Sequence, residues 1–219
     1  MSPVSVNTYL RHIKSFYLWQ GKSWKLDRLR EEQKILATFT RDQVRQLMAY
    51  RPTGVNMTRA WTVAAILLDT GLRIAECLNV RKEDIDFDQM TVRVVGKGNK
   101  HRLVPMSPEG RKRLFIYLRT HSFRYVFGTQ AGTRMSERNF LRDFKAVCTA
   151  AGIAGVRTSP HTLRHSFAVY YLRNGGNLEF LRRILGHSSI LTTQKYLRSL
   201  GVEDLQAVHN ELSMLSARR

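Results

Sequence analysis

This chain of 219 residues encodes a mainly α-helical domain carrying one small antiparallel β-sheet, an α+β arrangement. Three features point there. Apolar residues recur at three- and four-residue spacing through most of the chain, the period of an amphipathic helix. One β-branched run, residues 90–95, is followed by the turn chemistry of Gly96-Lys97-Gly98-Asn99-Lys100 and a second short apolar run, which together read as a hairpin. The length and a hydrophobic share of 43% suit one well-buried domain with an appendage, and no repeat or low-complexity stretch interrupts it.

Residues 3–20 place Val6, Tyr9, Leu10, Ile13, Phe16 and Tyr17 on one helical face. Pro3 after Ser2 suits a helix start, and Gly21 ends it. Residues 22–34 are a charged, weakly apolar connector. A capped helix starts at Thr40, with Asp42 and Gln43 in its first turn and Val44 and Leu47 behind them. Residues 58–68 are strongly apolar and helical; Thr70-Gly71 breaks them, and a helix resumes over residues 73–78. After the strand at 90–95, the returning strand is expected at 103–106. Helices are then expected at 108–118, 136–151, 162–174, 178–185, 189–197 and 203–216, with Gly186 as the cap of the fourth of these. The expected division is residues 1–34 as a helical appendage and linker, 35–202 as the main domain, and 203–219 as a C-terminal helix.

Lys and Arg number 36 against 17 acidic residues, a formal net charge of +19. Such an excess favours a polyanionic partner, because neutralising phosphates releases counterions. A ribosome-like coat or a membrane-surface role would give the same sign. Cys77 and Cys148 supply neither a disulfide framework nor a zinc set, and read as buried reduced thiols. No stretch approaches the ~18 apolar residues of a membrane span, and the N-terminus lacks a signal-peptide core. The expected location is the cytoplasm.

The chemistry-bearing residues are Tyr196, nine residues after His187 in Leu185-Gly186-His187-Ser188, and the segment His161-Thr162-Leu163-Arg164-His165. A tyrosine near a helix end is ordinarily packing. As a nucleophile a phenol is poor at its reference pKa of about 10; it needs a proton acceptor, or cations that stabilise the phenolate and a five-coordinate phosphorus. His161 and Arg164, three apart near a helix N-terminus, share one face and are both phosphate donors. Arg73 precedes Glu76 by three residues in an apolar helix, where a guanidinium wants a fixed anionic partner. Glu76 would hold Arg73 while a phosphate takes the remaining donors. The Gly96–Lys100 turn lacks the strand-loop-helix context of a nucleotide-binding loop, but a lysine at a hairpin tip can swing in and protonate a departing oxygen.

Taken together, Thr70-Gly71-Leu72-Arg73-Ile74-Ala75-Glu76, the Gly96–Lys100 hairpin, His161-Thr162-Leu163-Arg164-His165, Leu185-Gly186-His187 and Tyr196 resemble the tyrosine recombinase, or phage integrase, family. Their order and spacing are closest to its bacterial chromosome-dimer-resolving branch, over roughly residues 36–216. The resemblance implies a DNA breaking-rejoining fold that needs no metal or other cofactor. Arg73 and Arg164 would clamp the non-bridging oxygens of the scissile phosphate. His161 and His187 would bond the same phosphate, with His161 accepting the tyrosine proton. Lys97, ahead of Lys100, would protonate the 5′-oxygen, and Tyr196 would form a 3′-phosphotyrosine bond. Glu76 would orient Arg73. The partners implied are double-stranded DNA and further copies of the chain, four protomers on two DNA sites.

Family members of this type also resemble a two-part clamp, of whose N-terminal part only the last helix is recognisable in residues 1–34. In the family, a C-terminal tail like residues 203–219 packs into a neighbouring protomer; folding onto its own domain is the alternative here. Rival functions are type IB topoisomerase-like relaxation, a shortened non-catalytic DNA-binding regulator, and a cationic structural or RNA-associated protein.

Overall fold

The computed structural model describes residues 1–23, 25, 27–30, 37–96 and 101–212, the side chains of Val4, Glu211 and Leu212 excepted. Met1–Ile35 and Leu36–Arg219 form two compact units. The first contains helix α1 (Pro3–Trp19), whose N-cap Ser2 accepts from the Ser5 amide with proline in the first turn. The Asn7 side chain donates to Leu29 O at 2.8 Å and accepts from Leu29 N at 2.9 Å, which ties the connector back to the helix. On the face predicted to be apolar, Tyr9, Ile13 and Phe16 are exposed. Among the described residues of this unit no second layer covers them.

The second unit is built around α3 (Val55–Thr70), which is longer at both ends than the sequence pattern suggested. Ala60, Val63, Ala64 and Leu67 on it are fully buried, as expected of a helix that is apolar on all sides. It packs against α5 (Pro108–Leu118), α6 (Glu137–Ala150) and α7 (Pro160–Arg173). Helix α2 (Arg41–Ala49) is capped at Thr40 as predicted, through a reciprocal box with Gln43, and buries Leu47. A short α4 (Ile74–Asn79) follows α3 after a sharp break at Gly71.

The sheet has three antiparallel strands in the order β1 (Ile85–Asp86), β2 (Thr91–Val95) and β3 (His101–Pro105). β1 and a 3-10 turn at Lys82–Asp84 are too short to leave a periodic signal. The return strand starts two residues before its predicted position, because Val94 and Val95 pair with Arg102 and His101. That register puts Arg102 and Val104 on the inner face and leaves Leu103 outside, since side chains alternate along a strand. The predicted turn residues Lys97 to Lys100 lie outside the described residues.

Beyond α7 come α8 (Leu178–Leu185), α9 (Ile190–Gln194) and α10 (Val202–Leu212). The helix expected over 189–197 is divided: the α-helical turn stops at Gln194 and Lys195–Ser199 winds as a 3-10 turn. Ile190, Thr192 and Thr193 are β-branched and weak helix formers, and the side chain of Thr193 is fastened elsewhere. Ala168, Leu172, Leu181 and Leu185 form a small separate core on which Phe167, Tyr171 and Tyr196 pack. Cys77 and Cys148 are free and buried, and burial raises the Cys148 thiol to about 12 and Cys77 further still. Among the described residues no helix is long and apolar enough to cross a membrane.

Candidate active site

Gly71 sets the first wall of the site. It closes α3 in the left-handed region, φ 63°, and donates to Leu67 O at 3.0 Å. A Cβ at this position would lie 2.2 Å from the Phe167 ring of α7, so only glycine allows the approach. The break places Arg73 at the N-cap of α4 and Glu76 three residues on. Glu76 accepts the Arg73 amide at 2.9 Å on Oε2 and Arg73 Nη1 at 3.0 Å on Oε1. The Glu76 side chain is 7% exposed against 42% for Arg73, so a buried anion anchors a guanidinium that still faces out.

The second wall is α7. Ser159 caps it by accepting from the Thr162 amide at 3.2 Å, with Pro160 in the first turn. One turn in, Arg164 is buried. Its Nη1 donates to Gly71 O at 2.7 Å, and its Nη2 donates to Leu185 O at 2.8 Å and to His187 Nε2 at 3.0 Å. A guanidinium has no acceptor, so His187 Nε2 must be the unprotonated nitrogen. The ring proton therefore sits on Nδ1, which donates to Thr193 Oγ1 at 3.0 Å. Burial, then the charges of Arg164, Arg73 and Arg102, push His187 down to about 4. Burial and the Arg73 charge likewise lower Arg164 to about 10, against opposing pulls from Tyr196 and Glu76. At neutral pH His187 is neutral and Arg164 remains a cation.

The third wall is the end of α8. Gly186 takes the predicted cap position at φ 65°, and the chain reverses so that His187 N donates to Arg182 O at 3.1 Å. The reversal exposes the last carbonyls of the helix to arginines. Arg73 Nη1 reaches Leu185 O at 3.2 Å and Arg73 Nη2 approaches Gly186 O at 3.4 Å. Arg182 Nη1 secures the His187 carbonyl at 2.8 Å. Beyond this turn, the 3-10 segment carries Tyr196. Its ring stacks nearly parallel to His187, with centroids 6.2 Å apart and planes at 11°, and tilts against His165 at 5.3 Å.

The structure thus brings Arg73, Glu76, Arg164, His187 and Tyr196 together. His161 stands exposed one turn before Arg164 on α7, without a hydrogen bond to these residues among those described. Lys97 lies outside the described residues. Three participants were not anticipated. Arg102 of β3 binds both Glu76 oxygens, Nη1 to Oε1 at 2.9 Å and Nη2 to Oε2 at 2.8 Å. Thr193 accepts the Nδ1 proton that the Arg164 contact assigns to the His187 ring, and His165 flanks the Tyr196 ring. For Arg102 a signal existed, since alternation from Val104 puts a charge on the inner face of the strand. Thr193 offered none, because its partner is fixed only by the turn after Gly186.

The arrangement is a cationic cradle with a phenol at its edge. Arg164 commits three N–H groups to the protein, which leaves two of its five for a ligand. The two that remain, on Nε and Nη1, can each donate to an oxygen of a phosphate or carboxylate. Residues 37–201 match the model of the phage integrase family. The chain belongs to that family. Its relatives include the tyrosine recombinase XerC of Pediococcus pentosaceus (strain ATCC 25745 / CCUG 21536 / LMG 10740 / 183-1w), 30% identical over 90% of this chain and 71% of that one. The tyrosine recombinase XerD of Lacticaseibacillus casei is 32% identical over 96% of this chain and 77% of its own length. The crystal structure of XerA recombinase superposes with a TM-score of 0.71 at 28% identity, covering all of this chain and 78% of that one. This phage integrase family member is therefore a tyrosine recombinase of the Xer branch, and the five gathered residues fall inside the matched span.

Proposed function

We propose that the chain breaks and rejoins double-stranded DNA in site-specific recombination or integration, with Tyr196 as nucleophile. The observation that supports this best is the convergence of Arg73, Arg164 and His187 on the last turn of α8, with the Tyr196 ring stacked on His187. The Tyr196 oxygen forms a bond to phosphorus while the bond to the 5′-oxygen breaks. The phenol proton passes to His161, and Lys97 gives a proton to the leaving 5′-oxygen. The free N–H groups of Arg73 and Arg164 hold the non-bridging oxygens, where negative charge grows in the transition state. The 3′-phosphotyrosine keeps the energy of the broken linkage, so a 5′-hydroxyl reverses the attack without ATP or metal.

His187 joins this contact by exchanging tautomers. To donate to a phosphate, its Nε2 must carry the proton, and Nδ1 must then accept. The hydroxyl of Thr193 can either accept or donate, so it serves both forms, while Arg164 Nη2 releases Nε2 and turns to the phosphate. Recombination between two sites needs four such active sites, and assembly of four protomers on DNA is part of the proposal, as is a cytoplasmic location.

The test is an SDS-trapped covalent-complex assay on supercoiled plasmid carrying the gene's flanking DNA, with EDTA and without ATP. The native chain is expected to give a protein–DNA adduct that Tyr196→Phe abolishes while DNA retention stays similar. An adduct that persists in the variant removes Tyr196 as nucleophile. A native chain that binds DNA without an adduct is a binding module, and plasmid relaxation without strand exchange marks a topoisomerase-like activity.

A further inference from the structure

Arg102 is the one inward-facing charge on β3, and it binds the carboxylate that holds Arg73 and a carbonyl next to the one that receives Arg73 and Arg164. Its two terminal nitrogens grip both oxygens of the Glu76 carboxylate, with side chains 15% and 7% exposed. The same carboxylate holds Arg73 through its amide and Nη1. Arg102 Nε donates to Ile184 O at 3.0 Å, one residue before the carbonyl of Leu185 that receives both Arg73 and Arg164. Its guanidinium also lies flat against Gly186, where a Cβ would come within 2.8 Å of the Arg102 Cζ. The residue after that glycine is His187.

We propose that Arg102 is a positioning residue of the active site, which locks the Glu76 carboxylate and the last turn of α8 into one frame. The inference rests on the reading of the cradle as the phosphate site. Without Arg102 each Glu76 oxygen keeps a single donor, from the one residue it is meant to orient, and the Ile184 carbonyl loses its tether. Arg73 and the Gly186-His187 turn then share one loosened support. A lysine cannot replace the frame, since a point-like ammonium does not fork across two carboxylate oxygens while its stem reaches a carbonyl. A misplacement of about 1 Å in such a site can cost on the order of 100-fold in rate.

Two variants separate this role from simple stabilisation. Arg102→Lys keeps the charge without the fork. The double variant Arg102→Met with Glu76→Gln removes both charges, so no uncompensated ion stays buried. Each is compared with the native chain by thermal melting, DNA retention and single-turnover cleavage, on ordinary DNA and on DNA with a bridging sulfur at the 5′-leaving position. Both variants are expected to fold and retain DNA but to cleave at least about tenfold more slowly. The deficit is expected to persist on the sulfur substrate, whose thiolate leaves without a proton. Native-rate cleavage by either folded variant overturns the proposal, and so does full rescue by sulfur, which would place Arg102 behind the leaving-group lysine. If Arg102→Lys does not fold, the double variant decides. If the native chain itself forms no adduct, the phosphate reading fails, and the His187 ring signals in the NMR spectrum of folded Arg102→Lys decide the positioning role. Displaced signals support it and unchanged signals overturn it.

Discussion

Thr193→Val probes the contact that receives the Nδ1 proton of His187. The side chain is fully buried, and valine replaces the hydroxyl with a methyl group of almost the same volume. What is lost is the acceptor 3.0 Å from Nδ1. If the tautomer stays, a buried N–H is left unpaired, at about 1–3 kcal/mol. If the proton moves to Nε2, that N–H confronts Arg164 Nη2, a donor, at 3.0 Å, and a hydrogen bond to a charged group worth about 1.5–3 kcal/mol goes instead. Neither escape is free. A penalty of about 1–3 kcal/mol felt in the transition state slows cleavage roughly 5- to 150-fold. In a unit of this size it lowers the melting temperature by about 2–4 °C per kcal/mol. Single-turnover adduct formation and thermal melting measure the two effects, with Thr193→Ser as the variant that keeps the hydroxyl. If Thr193→Val melts and cleaves like the native chain, the tautomer assignment is wrong and the stack of His187 on Tyr196 does not depend on it.

Two further expectations concern the cations. Arg164→Lys should reduce cleavage by at least about 100-fold, because the three N–H groups of one ammonium cannot serve Gly71 O, Leu185 O and His187 and still donate to phosphate; near-native single-turnover rates would count against the clamp. His187 should titrate near 4 in the folded protein, as followed by its ring nitrogen shifts, whereas the unfolded chain takes the proton near 6.5. The unfolded state then binds more protons in that interval, so this group's contribution is whole above pH 6.5 and is lost as pH falls toward 4; a folded-state titration at or above 6.5 would refute the buried neutral ring.

Much of the fold was readable because its determinants are local. The capping box at Thr40, the breaks at Gly71 and Gly186, and the β-branched run before Gly96 each act within a few residues of themselves. Less legible were features set by distant partners. The helix carrying Tyr196 tightens into a 3-10 turn because Thr193, three residues earlier, is bound to His187 across the turn. The Arg73–Glu76 pair followed from spacing, but its third member comes from a strand 26 residues further along. His187 was expected to face the phosphate directly. In the structure both its ring nitrogens are engaged within the protein, a fact that spacing alone does not contain.

The last turn of α8 has a consequence for how freely this protein can be stabilised. Arg73, Arg102 and Arg164 each bond to one or more of the carbonyls of Ile184, Leu185 and Gly186, while Glu76 is bound by Arg73 and Arg102 alone, so among the described residues of the cradle three formal positive charges face one negative. A helix C-terminus offers only about half a negative charge against that excess. The pocket is therefore electrostatically frustrated as built. A second carboxylate would relieve the repulsion and occupy the same N–H groups an incoming anion would take. Substitutions selected for thermal stability alone should drift toward such a carboxylate, and the chain that melts highest should be the one that no longer competes for phosphate.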